Sequence, residues 1–205
     1  MKQLSKFYID GAWVPGGAGW IDVTNPANGE LLARQTLADA ADVDRAVQAA
    51  RRLHLSGGLS SLRPIARGRM VQAMGGYLLD NLDEIARVLT LEQGKPLWEA
   101  RTEVESVINK VDISVTAFAE RTGQKKLNSA LQGTAAVRHK PHGVMVVLGP
   151  YNFPAHLPNG HIIPALIAGN VVIFKPSEKT PAVGQLLMEC LSKAGISAAV
   201  AQFFV

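Results

Sequence analysis

The sequence is short of cysteine: Cys190 stands alone in 205 residues. A single thiol excludes an intramolecular disulfide framework and any zinc site built on cysteine. No apolar run approaches the ~18 residues a membrane-spanning helix needs, and the N-terminus lacks the apolar stretch of a signal peptide. Blocks of like charge are missing as well. The net charge of +4 is scattered, and its tightest basic groups, Arg51-Arg52 and Lys125-Lys126, are mere pairs. This is the pattern of a solvated surface and not of a nucleic-acid stripe. Neither G-x-G-x-x-G nor G-x-x-x-x-G-K occurs, so both usual glycine fingerprints for a pyrophosphate are lacking. Internal repeats and low-complexity segments are also lacking. The expectation is a reducing, cytoplasmic protein that engages neither nucleic acid nor membrane.

What is present suits a packed domain. Hydrophobic residues make up 47% and charged residues 19%, enough to build a core. Phe7-Tyr8-Ile9, Asp10-Gly11 and Trp13-Val14 read as a hairpin closed by a primed turn. Asn28-Gly29 offers a second such turn before Leu31-Leu32. Helices are expected from 39 to 121. Asp39 can cap the first, whose apolar side would be Val43, Ala46, Val47 and Ala50. The second follows Pro64, with Val71, Met74 and Leu78 on one side. Asn81 and Glu84 form a capping-box-like start for Leu82, Ile85, Ala86 and Leu89, and Gly94 and Pro96 end that helix. Val104, Val107, Ile108, Val111, Val115 and Phe118 mark an amphipathic helix over 97–121 that Gly123 closes.

Beyond residue 132 the pattern changes to strands. Ala135–Val137, Val144–Leu148 and the apolar run Val171–Phe174 are strand-like, the last having the look of a strand buried on both faces. Thr180 and Pro181 start a helix with Leu186, Leu187, Cys190 and Leu191 inward, and Gly195 stops it. Ala201–Val205 reads as the opening of another strand. Alternating strand and helix implies an α/β fold with a parallel sheet. Trp13, Trp20 and Trp98 are expected as packing anchors, and Arg63, Arg67 and Arg69 as a solvated helix face. His139, His142, His156 and His161 have no metal-ligand spacing.

Two loops follow the C-terminal ends of the strands, where open α/β sheets bind ligands. In Gly149-Pro150-Tyr151-Asn152-Phe153-Pro154 the prolines restrict the backbone around Asn152. Its amide could stabilise an oxyanion, or it could cap its own turn. In Phe174-Lys175-Pro176-Ser177-Glu178, Lys175 and Glu178 could hydrogen-bond a nucleotide ribose, or form a plain surface ion pair near a helix start.

Taken in order, GPYNFP, PALIAGN and IFKPSE resemble the NAD(P)-dependent aldehyde dehydrogenase family. The landmarks YIDGAWV, Asn25-Pro26, Gly29-Glu30 and LEQGKP agree with it, and the resemblance spans about residues 7 to 196. It implies a fold in which N-terminal hairpins and helices (1–122) lead through the start of an oligomerisation arm (123–140) into an incomplete Rossmann-like parallel sheet (141–205), with the catalytic domain absent. It further implies an oxyanion role for Asn152 toward the thiohemiacetal formed by a cysteine thiolate and an aldehyde. Lys175 and Glu178 would contact the adenosine ribose, and Leu148, Gly149, Pro150 and Tyr151 would line the cofactor cleft. Glu178 favours NAD over NADP, because a carboxylate accepts from a 2′-hydroxyl and repels a 2′-phosphate. The stretches WEARTEVESVINKV, ERTG, RHKPHGV and PYNFPAHLPNGHIIPAL resemble the subgroup that oxidises N-succinylglutamate 5-semialdehyde in arginine catabolism. A small-molecule aldehyde substrate and a homo-oligomeric parent follow from the same resemblance.

The family's nucleophilic cysteine and general-base glutamate have no counterpart here. Cys190 falls on the apolar stripe of a helix, where burial leaves a thiol inert. After Ile196 the family's proline-glycine turn is replaced by Ser197-Ala198-Ala199-Val200. The expectation is an inactive N-terminal portion, truncated or frame-shifted or else an incomplete sequence, whose sheet ends in an unpaired apolar edge prone to aggregation. The alternatives are a non-catalytic fragment that co-assembles with a full-length relative or a gene relic, and a parent that makes or uses acyl thioesters or acyl phosphates.

Overall fold

The computed structural model describes residues 2–4, 6–127, 133–196 and 201–205. Strands β1 (Lys2–Leu4), β2 (Phe7–Ile9), β3 (Ala12–Val14), β4 (Trp20–Thr24) and β5 (Leu31–Thr36) come first, followed by α1 (Ala40–Leu55). After a short 3₁₀ turn come α2 (Pro64–Asp80), α3 (Leu82–Gln93) and α4 (Leu97–Arg121). The C-terminal part holds β6 (Lys125–Leu127), β7 (Ala135–Val137), β8 (Val144–Leu148), α5 (His156–Ile167), β9 (Val171–Lys175), α6 (Pro181–Lys193) and β10 (Ala201–Phe203).

The central sheet is mixed, in the order β3-β2-β10-β9-β8. Strands β8, β9 and β10 are parallel, and β2 joins β10 antiparallel through Phe203 opposite Tyr8. An unpaired edge beyond the third parallel strand was the sequence expectation; the N-terminal hairpin covers that edge instead. Its closure is aromatic: the Phe7 and Phe204 rings lie 6.5 Å apart, and Phe174 and Phe203 6.0 Å. Four successive residues of β9, Val171 to Phe174, are buried. Helix α1 packs on β8, β9, β10 and β2, while α5 lies against β8 and β9 and α6 against β10. Helices α2 and α4 then pack on α5, and α2 and α3 on α6.

Most local signals are realised. Asp10 and Gly11 both take positive φ (51° and 82°), the primed turn that closes β2 and β3. Asp39 caps α1 through a reciprocal box with Asp42. Gly94, in the left-handed region, ends α3.

Several expectations fail for identifiable reasons. Asn28-Gly29 does not make a two-residue turn: only Gly29 has positive φ, and Asn25 organises a longer connection by accepting from the Ala27 N–H. Asn81 does not cap α3; its amide donates back to the Tyr77 carbonyl. Helix α1 buries Asp42, Ala46, Ala49 and Ala50, leaving Val43 and Val47 exposed. Trp20 and Trp98 are exposed and anchor nothing, whereas Trp13 stacks near Tyr8 with ring centres 5.0 Å apart. Arg67 is not on a solvated face: it is 7% exposed and donates to the Ile167 and Leu62 carbonyls, holding the end of α5. A long apolar stem and five donors let arginine serve as such a buried clip.

Candidate functional site

Both candidate loops leave the C-terminal ends of adjacent parallel strands. Leu148, the last residue of β8, pairs with Lys175, the last of β9, and the Gly149 N–H donates to the Lys175 carbonyl at 2.8 Å. Glycine suits this close approach: a Cβ at 149 would stand only 3.0–3.2 Å from Pro158, Phe174 and the Pro176 backbone.

Asn152 is exposed and lines a cleft of about 500 Å³ with Pro26, Glu92–Pro96, Glu99, Tyr151, Lys179 and Thr180. Its side-chain amide makes no hydrogen bond among the described residues. The self-capping alternative is therefore not what the structure contains, and the amide is free to donate. The loop itself is held by its backbone. Gln93 donates to the Tyr151 carbonyl at 2.5 Å, and Lys95 reaches the Asn152 carbonyl at 3.4 Å. Lys95 also sits 4.5 Å above the Phe153 ring, and Lys179 5.0 Å above Tyr151.

Lys175 and Glu178 meet at 3.3 Å, both partly exposed. The surface ion pair is thus realised, and it leaves carboxylate acceptors open to solvent. The Glu178 carboxyl lies below its ordinary value, chiefly through its own backbone N–H; burial opposes this, and Lys175 and then Lys179 add to the lowering. It is an anion at neutral pH, the state that accepts from a ribose hydroxyl. The pair does not line the Asn152 cleft; Lys179 and Thr180 do. Of the other positions, Tyr151 lines the cleft, Leu148 is exposed, and Gly149 and Pro150 are half-buried. Cys190 is buried on α6, and burial pushes its thiol up to about 11.

Residues that sequence reasoning missed surround this site. Lys95 is paired with Glu103 at 2.5 Å in a nearly inaccessible ion pair. The other Glu103 oxygen accepts from the Ala155 and His156 N–H groups, both at 3.1 Å, at the start of α5. Glu92 accepts from the Ala182 and Val183 N–H groups at the start of α6. Burial raises its carboxyl to about 7, against the opposing effect of those two donors. A signal existed for both acids. Glu92 continues the inward stripe Ile85-Ala86-Leu89, and Glu103 interrupts the stripe Ala100-Val104-Val107. A carboxylate on an apolar face needs a buried partner.

The chain belongs to the aldehyde dehydrogenase family, whose model matches residues 13–205. It is 58% identical over 165 residues to N-succinylglutamate 5-semialdehyde dehydrogenase of Novosphingobium aromaticivorans, covering 80% of this chain and 34% of that protein. The protein of the same name from Burkholderia orbicola is 49% identical over 197 residues, covering 96% of this chain and 40% of that one. The chain therefore spans about a third to two fifths of the curated relatives it matches. The structure of a methylmalonate-semialdehyde dehydrogenase from Sinorhizobium meliloti complexed with NAD superposes with a TM-score of 0.92 at 28% identity, covering 100% of this chain and 41% of that one. The expected α/β class and family are borne out.

Proposed function

We propose that this chain supplies the oxyanion-stabilising and adenosine-binding parts of an NAD-dependent dehydrogenase for N-succinylglutamate 5-semialdehyde or a similar acidic aldehyde. The observation that carries the reading is the free Asn152 amide, exposed at the strand end and lining an open cleft.

The residues present fit a dinucleotide. The Lys175–Glu178 pair stands open at the sheet's C-terminal edge, and the anionic carboxylate suits ribose hydroxyls. NAD, when bound, supplies the two-electron acceptor. Leu148, Gly149, Pro150 and Tyr151 would line the cleft that holds it. Asn152 donates from Nδ2 to the aldehyde-derived oxygen as negative charge builds there, and a neutral amide does so without titrating. One such donor is typically worth about 3 kcal/mol in the transition state. Cys190 does not serve as the nucleophile in this reading, since it is a buried thiol pushed up to about 11. The segment 123–140, which includes the β6–β7 pair, is proposed as the start of an oligomerisation arm; residues 128–132 lie outside the described set.

The test is a calorimetric titration with NAD and NADP, followed by an assay for NADH with the semialdehyde. The 205-residue chain should bind NAD more tightly than NADP and give no turnover. Failure to bind either dinucleotide, or turnover abolished by Cys190→Ala, overturns the reading. A second reading, a non-catalytic piece that docks on a full-length relative, is favoured by the outer edge of β8. There Val146 and Leu148 are 60% and 71% exposed, and co-purification with such a relative is its test.

A further inference from the structure

Helix N-termini in α/β folds commonly hold an anion, because their first N–H groups lack partners inside the helix. Neither α5 nor α6 has a side-chain cap from its own N-cap residue. Thr180 stands at the cap position of α6, yet its hydroxyl is buried without a partner. Every first-turn donor is nevertheless used. At α5, the Ala155 and His156 N–H groups go to one oxygen of Glu103, and that of Leu157 goes to the Phe153 carbonyl. At α6, Pro181 has no N–H, those of Ala182 and Val183 go to the two oxygens of Glu92, and that of Gly184 goes to the Thr180 carbonyl. Both acids flank the corner between α3 and α4: Glu92 is in the last turn of α3, Glu103 lies in the second turn of α4, and Gly94, Lys95 and Pro96 join the two helices.

We infer that the α3–α4 corner is a two-jawed clamp that positions both functional loops, with the Glu103 and Glu92 carboxylates standing where a bound anion would otherwise sit. Glu103 fixes the helix that begins directly behind Asn152. Lys95 neutralises the other oxygen of Glu103 and reaches the Asn152 carbonyl, and Gln93 holds the carbonyl of Tyr151. Glu92 fixes the helix that begins directly behind Lys175 and Glu178. The arrangement accounts for the missing glycine fingerprint: with no first-turn donor free on α5 or α6, the diphosphate of a dinucleotide is not seated there. The assignment rests on the reading of Asn152, Lys175 and Glu178 given above, and the acids are positioning residues that need not touch any ligand.

Amide hydrogen exchange on the ¹⁵N-labelled 205-residue chain, without ligand, tests the clamp; an NAD titration of the same samples tests the reading beneath it. Glu103→Ala should speed exchange at Ala155 and His156 about tenfold or more, since a charge-assisted bond is lost, and should shift the Asn152 side-chain amide resonances. It should leave Ala182 and Val183 unchanged. Glu103→Gln, whose carbonyl can still take both N–H groups, should restore most of the protection. Glu92→Gln should reverse the pattern, exposing one α6 donor and weakening NAD binding several-fold while Ala155 and His156 stay protected. Should Glu103→Ala fail to fold, Glu103→Gln and Lys95→Met still carry the test: both lose the ion pair, and both should shift the Asn152 amide without affecting α6. Equal acceleration at both helices, or an unmoved Asn152 resonance, overturns the clamp. Absence of NAD binding by a wild-type chain with protected caps overturns the functional reading instead.

Discussion

At the scale of single residues, two buried acids give stability opposite dependences on pH. Glu92 has its carboxyl raised to about 7 from 4.5. Between those values the folded chain holds a proton that the unfolded chain has released, so stability falls as pH rises through that window and levels above it. The drop is of the order of 3 kcal/mol, and Glu92→Gln should abolish it in urea titrations run at several pH values. Asp42 is the converse case. Burial raises its carboxyl, but the Gly17 N–H, Arg45 and the Asp39 N–H together hold it below its ordinary value. The folded chain therefore releases that proton first, and the stability it contributes is present above the ordinary carboxylate range and lost as pH falls below it. Asp42→Asn should flatten the acid limb of the same titrations. The chemistry of Asn152 was legible only as a choice between two roles. Whether an asparagine amide turns onto its own backbone depends on neighbouring chain, here Gln93 and Lys95, which satisfy the loop carbonyls from a distance of about 57 residues along the sequence.

At the scale of elements, the corner between α3 and α4 links the helical layer to the sheet's loops, and close packing at α6 maintains the join. A Cβ on Gly184 would stand 2.8 Å from Pro176 and 3.0 Å from the Phe203 ring. Proline and a buried ring have little freedom to yield, so Gly184→Ala should cost about 1–3 kcal/mol, read as a lowered urea midpoint with an unchanged slope. Helix spans and strand runs were legible because periodicity and stop residues are local properties; α4 and the hairpin at Asp10-Gly11 are the clearest cases. Capping was less so. Asn81 and Thr180 occupy cap positions, yet one bonds back to Tyr77 and the other is unused. At α6 the donors are taken by Glu92, about ninety residues earlier in the chain. No local pattern encodes a cap supplied from another helix. Arg67 shows the same limit: its polar type suggests solvent, and only the tertiary fold brings the end of α5 to it.

At the scale of the whole molecule, the first strands and the last close one sheet. Phe7 is fully buried beside Phe204, and β2 covers the edge of β10. Phe7→Ala should cost about 3–5 kcal/mol and promote aggregation at protein concentrations the parent chain tolerates, measured by light scattering. A hairpin that returns to pair with a strand nearly two hundred residues later cannot be read from alternation of apolar residues, which is why an open edge was expected there. The parallel order β8-β9-β10 was readable, since strand and helix alternate along the chain. The central claim is that Asn152 and the Lys175–Glu178 pair face one dinucleotide site. Its most direct test is an NAD titration of the ¹⁵N-labelled chain followed by its amide spectrum. Saturable shifts should concentrate at residues 148–152 and 175–179, including the Asn152 side-chain amide. Saturable shifts confined to other surfaces, with those two loops unmoved, would contradict the account.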